Sequence, residues 1–140
     1  MRSEIQLDDM KFWVDQSIIY CKISPDFNKD YQKIDIEEIF YNGISILSNG
    51  RYMPILIDLE GVGYSNSIKI FKFLAHSEIV RSLILSQIFL VKSRSLKTIL
   101  SVYNFNKKPF FLNKICVDFD MAIKYCRKDN MVFNSISLQK

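Results

Sequence analysis

The run Met53–Leu59 reads Met-Pro-Ile-Leu-Ile-Asp-Leu, and it constrains the fold more than any other part of the chain. A strand that is apolar at consecutive positions has no solvent side, so it belongs inside a sheet whose two faces are both covered. Covering both faces takes helices, and 140 residues give room for one such domain. Pro54 fits only at the start of the strand, where its missing N–H breaks no ladder. A second run, Ser86–Val91, has the same character and should lie beside the first.

The segments around these runs alternate in type. Met10, Phe12 and Val14 fall on one side of a strand, with Lys11, Trp13 and Asp15 on the other. Asp15-Gln16-Ser17 interrupts, and Ile18–Ile23 resumes, which predicts a hairpin followed by a loop over Ser24–Lys33. Asp35, three residues ahead of Glu38, has the spacing of a capping box. Ile36, Ile39, Phe40, Gly43, Ile44 and Leu47 then form a helical stripe that Asn49-Gly50 should end. Ser65 or Asn66 is expected to cap a second helix bearing Ile68, Phe71, Leu74 and Ala75, with His76 at its end. Ser93 or Ser95 should cap a third, with Leu96, Ile99, Leu100 and Tyr103 inward. A polar loop over Asn104–Lys108, a short aromatic strand over Pro109–Leu112, and a last helix capped by Asp118 follow, with Phe119, Ala122, Ile123 and Cys126 inward.

The resulting order is β-β-α-β-α-β-α-β-α. It predicts a single α/β domain over residues 1–128, with an N-terminal antiparallel hairpin and then largely parallel strands joined by right-handed crossovers. Residues 129–140 are polar and aperiodic apart from Met131-Val132-Phe133, the pattern of a loosely held C-terminal tail.

Composition excludes several classes. Cys21, Cys116 and Cys126 form no CxxC pair, and with His76 as the one histidine they cannot complete a zinc site, so no metal is expected. Three buried, reduced thiols suit a cytoplasmic protein. The longest apolar stretch, Leu83–Val91, is about nine residues against the roughly 18 that a spanning helix needs. The N-terminus has no signal-peptide pattern. No Gly-x-Ser-x-Gly elbow, P-loop or complete dinucleotide fingerprint is present, so neither a catalytic set nor a cofactor is expected, and the reading is a non-enzyme. Charge is uneven. Residues 1–91 hold nine Lys or Arg against twelve Asp or Glu, and residues 92–140 ten against three. The basic half offers Lys92, Arg94, Lys97, Lys107, Lys108 and Lys114 as a surface for acidic partners. Fourteen of the nineteen basic residues are lysine, which lacks the bidentate fork that phosphate recognition favours.

The strand order, together with Ile55-Leu56-Ile57-Asp58-Leu59-Glu60-Gly61-Val62-Gly63, resembles the STAS fold of the anti-sigma-factor antagonist family. In that family a central strand ends in an Asp-x-Ser-Gly-Leu-Gly turn that leads into a helix. Asp58, Gly61 and Gly63 match, Val62 stands in for leucine, and Glu60 occupies the serine position. Over most of its length the chain is similar to short bacterial STAS-like proteins typical of Bacteroidota, the hairpin, the Pro-Ile-Leu-Ile-Asp-Leu strand and Asp120–Cys126 carrying the likeness. The resemblance implies a regulatory or scaffolding module that docks a protein partner through residues 58–67, with Asp58, Glu60, Gly61, Val62, Gly63 and Ser65 as the contact set. Family members that act as phosphorylation switches modify the serine hydroxyl, and Glu60 has none. Asp58 alone could be a base, a metal ligand or an acceptor that holds the turn. Gly61-Val62-Gly63, between strand and helix, has the context of a phosphate loop without its full pattern. Two other classes stay open: a lipid or small-molecule binder, which related folds allow, and a weakly nucleic-acid-associated basic protein, for which no motif speaks. Trp13 and its outward neighbours could support a homodimer or pack in the core.

Overall fold

In the computed structural model, which describes residues 3–27, 30–105 and 113–138, the chain opens with three antiparallel strands rather than two. They are β1 (Glu4–Leu7), β2 (Met10–Asp15) and β3 (Ile18–Ile23). Met10 and Phe12 are fully buried while Lys11 and Asp15 are exposed, as the alternation requires. The turn between β2 and β3 places both Gln16 (φ 51°) and Ser17 (φ 62°) in the left-handed region, the geometry of a tight hairpin whose twist matches its strands. β1 goes unannounced in the sequence because four residues of alternation are too few to register. Asp8, at φ 57°, makes the turn that returns it to β2.

Parallel strands follow: β4 (Ile55–Asp58), β5 (Gln87–Leu90) and β6 (Asn113–Cys116). The sheet runs β1-β2-β3-β4-β5-β6, with Ile57 of β4 facing Cys21 of β3 and Phe89 of β5 across the ladders. All four residues of β5 are buried, and so are Ile55, Leu56 and Ile57 of β4, the central position their composition demanded. Pro54 sits just before β4, and its carbonyl accepts from the Ile19 N–H at 3.0 Å. The aromatic strand expected over Pro109–Leu112 lies outside the described residues, and β6 begins directly after them.

The helices are α1 (Lys33–Ser48), α2 (Tyr64–Ala75), α3 (Glu78–Arg81), α4 (Arg94–Phe105) and α5 (Phe119–Leu138). α1 starts one turn earlier than the Asp35/Glu38 spacing suggests. Asp35 is its third residue, and its carboxylate accepts from the Gln32 N–H at 2.8 Å. Neither Ser65 nor Asn66 caps α2, where Gly63 takes that place. Asn66 instead donates to the Phe27 carbonyl at 2.9 Å. Ser77 starts the short α3, and its hydroxyl accepts from Val80 N–H. Ser93 caps α4 by accepting from Leu96 N–H, and Asp118 caps α5 by accepting from Asp120 N–H at 2.9 Å. α4 continues through Asn104 and Phe105, where a loop was expected. Among the described residues no helix is long and apolar enough to cross a membrane.

Two cores result. On one face α1, α2, α3 and α4 pack Ile36, Phe40, Ile44, Ile70, Phe71, Leu74, Val80, Leu96 and Leu100 onto the sheet. Phe12 lies edge-on to Phe40, with ring centroids 5.2 Å apart, and presses on Gly43, where an added Cβ would meet the ring at 3.0 Å. On the other face α5, alone among the described helices, covers Ile18, Leu56, Ile88, Leu90 and Cys116 with Ala122 and Cys126. Phe119 does not join them and is half exposed at the helix start. Residues 129–138, expected as a loose tail, continue α5 as helix. The Asp129 carboxylate accepts from Ser86 Oγ at 2.6 Å, and the Asn130 amide donates to the Ser17 carbonyl at 3.0 Å.

Candidate functional site

The carboxyl ends of β3, β4, β5 and β6 lie along one edge of the sheet, and each hands the chain to a helix there. Asp58 ends β4, half-buried, and its Oδ1 accepts from the Glu60 N–H at 2.9 Å. Of the three roles open to that carboxylate in the sequence, the geometry displays the turn-holding one. Val62 N–H donates to the Leu59 carbonyl at 3.0 Å, which closes the turn. The Val62 side chain is fully buried, so within the expected contact set it anchors the turn from below and has no surface to offer.

Glu60, Gly61, Gly63 and Ser65 are exposed around that anchor. Gly61 lies against Pro25 of the β3–α1 loop, where an added Cβ would stand 3.1 Å from Pro25 Cγ. At Gly63 nothing lies within 4 Å of an added Cβ, so the start of α2 is open to another backbone. The Glu60 carboxyl is pushed above its ordinary value by partial burial and by Asp58, against an opposing pull from Lys22. Cys21, in the neighbouring strand, has its thiol pushed well up, first by burial and then by Asp58.

Sequence reasoning missed the contact that fixes this turn to the next one. Tyr64 Oη and Ser93 Oγ lie 2.6 Å apart, and Lys92 Nζ stands 5.4 Å from the Tyr64 ring centroid. Since Ser93 also caps α4, one hydroxyl ties the starts of α2 and α4 together. The two residues are far apart in sequence, and only an aromatic between Gly63 and Ser65 hinted at the role. Lys92 therefore joins the 58–67 turn in one mixed-charge surface, with Arg94 at the start of α4 and Lys97 one turn on, both exposed.

The remaining basic residues divide. Lys114 is half-buried on β6, its Nζ 5.3 Å from the ring centroid of Tyr125 on α5. Lys107 and Lys108 lie outside the described residues. His76 is the half-buried residue that ends α2, as its position predicted. Cys21, Cys116 and Cys126 are free and buried, and burial pushes the Cys126 thiol up to about 12, with smaller contributions from Asp129 and Cys116. Among the described residues no group of three or more His, Cys, Asp and Glu gathers in a way that could hold a metal ion.

Several open grooves border α5, two of them along its basic residues. One, of about 720 Å³, runs beside the β2–β3 hairpin and mixes Tyr20, Ile123 and Met131 with Asp15, Lys124 and Arg127. The other, of about 370 Å³, lies toward β6 and holds Leu85, Tyr125, Val132, Phe133 and Ile136 with Lys114. Neither reaches the 58–67 turn. No protein-family model matches the chain, and no curated protein matches it either.

Proposed function

We propose that this chain is a STAS-like regulatory or scaffolding module, one that docks a protein partner through the 58–67 turn and the start of α2. The single observation that supports it most is the way the turn is held. Asp58 fixes it from within, Val62 anchors it below, and the Tyr64–Ser93 contact locks it to α4. What remains on the outside is a preorganised row of Glu60, Gly61, Gly63 and Ser65, and preorganisation lowers the entropic cost of binding. Position argues for the same surface, since α/β sheets carry function in the loops at their carboxyl edge.

The direction of the crossovers favours a protein over a small ligand. β3–α1, β4–α2 and β5–α4 all leave toward the same face, so the loops beside the 58–67 turn run parallel. Ligand crevices in open sheets form where neighbouring connections part to opposite faces. Here that happens only between β5 and β6, because α5 lies on the other side. The turn thus lies away from that switch point, and its exposed row suits a complementary protein surface.

A fixed carboxylate at position 60 makes the surface insensitive to a kinase that would modify serine there. The test uses the partner captured by chemical cross-linking from the native host and then purified. Glu60→Arg should weaken its affinity at least tenfold by calorimetry while leaving stability within about 0.5 kcal/mol, as for a surface substitution. Equal affinities in two equally folded proteins would place the interface elsewhere.

A further inference from the structure

We propose that a second copy of this chain docks head to tail, its α1–α3 patch seated on the outer side of the C-terminal half of α5. α5 is too long for the sheet it covers. Its 20 residues extend about 30 Å, whereas the four residues of β4, β5 or β6 span about 13 Å. The helix starts at the carboxyl edge, so its last turns stand beyond the amino edge, past the ends of the described strands. Met131 is 70% exposed, Val132 51% and Ile136 57%. The inward stripe Ala122–Cys126–Asp129 continues into Phe133, which is 37% exposed and lies edge-on to Tyr52, at 6.4 Å between centroids.

A matching patch exists on the opposite face of the molecule. Ile34 (69% exposed) and Tyr41 (48%) of α1 stand beside Ile79 (49%) of α3, and Glu37 and Glu38 line the same hollow. The two patches carry opposite signs. Lys128 borders both grooves beside α5, with Lys124 and Arg127 on one side and Lys114 on the other. The acids nearby are Asp15, at the end of β2 next to Gln16, which Arg127 contacts, Asp120, at the far end of the first groove, and Asp129, whose carboxylate is bonded to Ser86, so the bases outnumber them around the patch. Apolar centres with rims of opposite charge are the pattern of partners that select one another.

Because the patches lie on different faces of the sheet, their contact cannot be two-fold symmetric. A contact between unlike surfaces leaves one of each free on every dimer, so association continues with concentration unless the rotation closes a ring. The geometry therefore gives a growing assembly, or a ring, and not a symmetric dimer. This surface is separate from the 58–67 turn, which stays open along the carboxyl edge in such an assembly.

Sedimentation equilibrium of the whole chain, with Tyr41→Lys and Met131→Glu as variants, tests the proposal. Both residues are exposed, and each substitution puts onto one patch the charge of its partner's rim. Wild type should show an average mass that rises with concentration to beyond two chains. Each variant alone should stay at the mass of one chain, and an equimolar mixture of the two should associate again, since each retains the patch the other has lost. A wild type that is monomeric up to about 100 times the micromolar range of ordinary weak self-association would overturn the proposal. So would a stable dimer of either single variant, which would mean pairing of like patches, or a mixture that stays monomeric. Ile34→Lys with Val132→Glu repeats the design should either first variant fail to fold.

Discussion

Glu60 shows how a single residue can be read for its charge as well as its place. Its carboxyl is raised by partial burial and by Asp58, so the fold holds the proton more tightly than the unfolded chain does. A raised carboxyl means that the native state binds more protons between the unfolded and folded values. Stability from this group is therefore greatest at low pH and is lost as pH rises through that interval. Glu60→Gln, which removes the charge and keeps the shape, should stabilise the protein slightly at neutral pH. Because the residue is exposed, solvent screening keeps the gain to about 0.5 kcal/mol or less. Urea unfolding at pH 7 and again at pH 4 would check it. The gain should shrink at the lower pH, and a gain that grew there would contradict the sign. The same residue marks how much of the site was legible. Asp58 and the glycines announced a turn after a central strand, but the Tyr64–Ser93 lock depended on two elements meeting in space.

Among the elements, those whose apolar pattern stands alone were the ones the sequence could announce. β4 and β5 are near-continuous apolar runs, and α1 keeps a clean stripe through Ile36, Phe40 and Ile44. The last ten residues of α5 could not be read this way, because its inward positions there open with the polar Asp129 and Asn130 before Phe133. Each finds a partner on the sheet, Ser86 and the Ser17 carbonyl, so a polar stripe does the work of an apolar one. The β2–β3 hairpin is a different case, in which local sequence and local conformation disagree. Gln16 and Ser17 both sit at positive φ, where a side chain costs energy that Asn-Gly avoids. Replacing the pair with Asn-Gly should raise stability by about 1 kcal/mol. The Ser17 carbonyl that receives Asn130 is backbone and is kept, while the Gln16 contact to Arg127 at 3.2 Å is exposed and adds little. A thermal unfolding midpoint that falls would mean that the Gln16 side chain matters more than the turn.

At the scale of the whole molecule, the two faces of the sheet are built unequally. Four helices share one face and a single helix holds the other, so the second core has no redundancy. The first face could lose a contact and still be shielded by its neighbours. The second depends on α5 staying down, and α5 is held at its far end by Asp129 to Ser86, Asn130 to Ser17 and Phe133 against Tyr52. Those contacts all lie beyond residue 128, where the sequence suggested a tail. Ending the chain at residue 128 removes two hydrogen bonds between part-buried groups and one aromatic contact. At roughly 1 kcal/mol for each bond and a similar amount for the ring, the loss should be about 2–4 kcal/mol. Ending it at residue 134 keeps all three and should cost less than about 1 kcal/mol, since Ser135 and Ile136 are exposed. The two truncations are compared by urea unfolding, using the midpoint and the slope together. A drop in the midpoint for the shorter chain alone, with an unchanged slope, means that the end of α5 clamps the second core. Equal midpoints would mean that Ala122 and Cys126 suffice to hold the helix, and that its last turns serve only the outward surface.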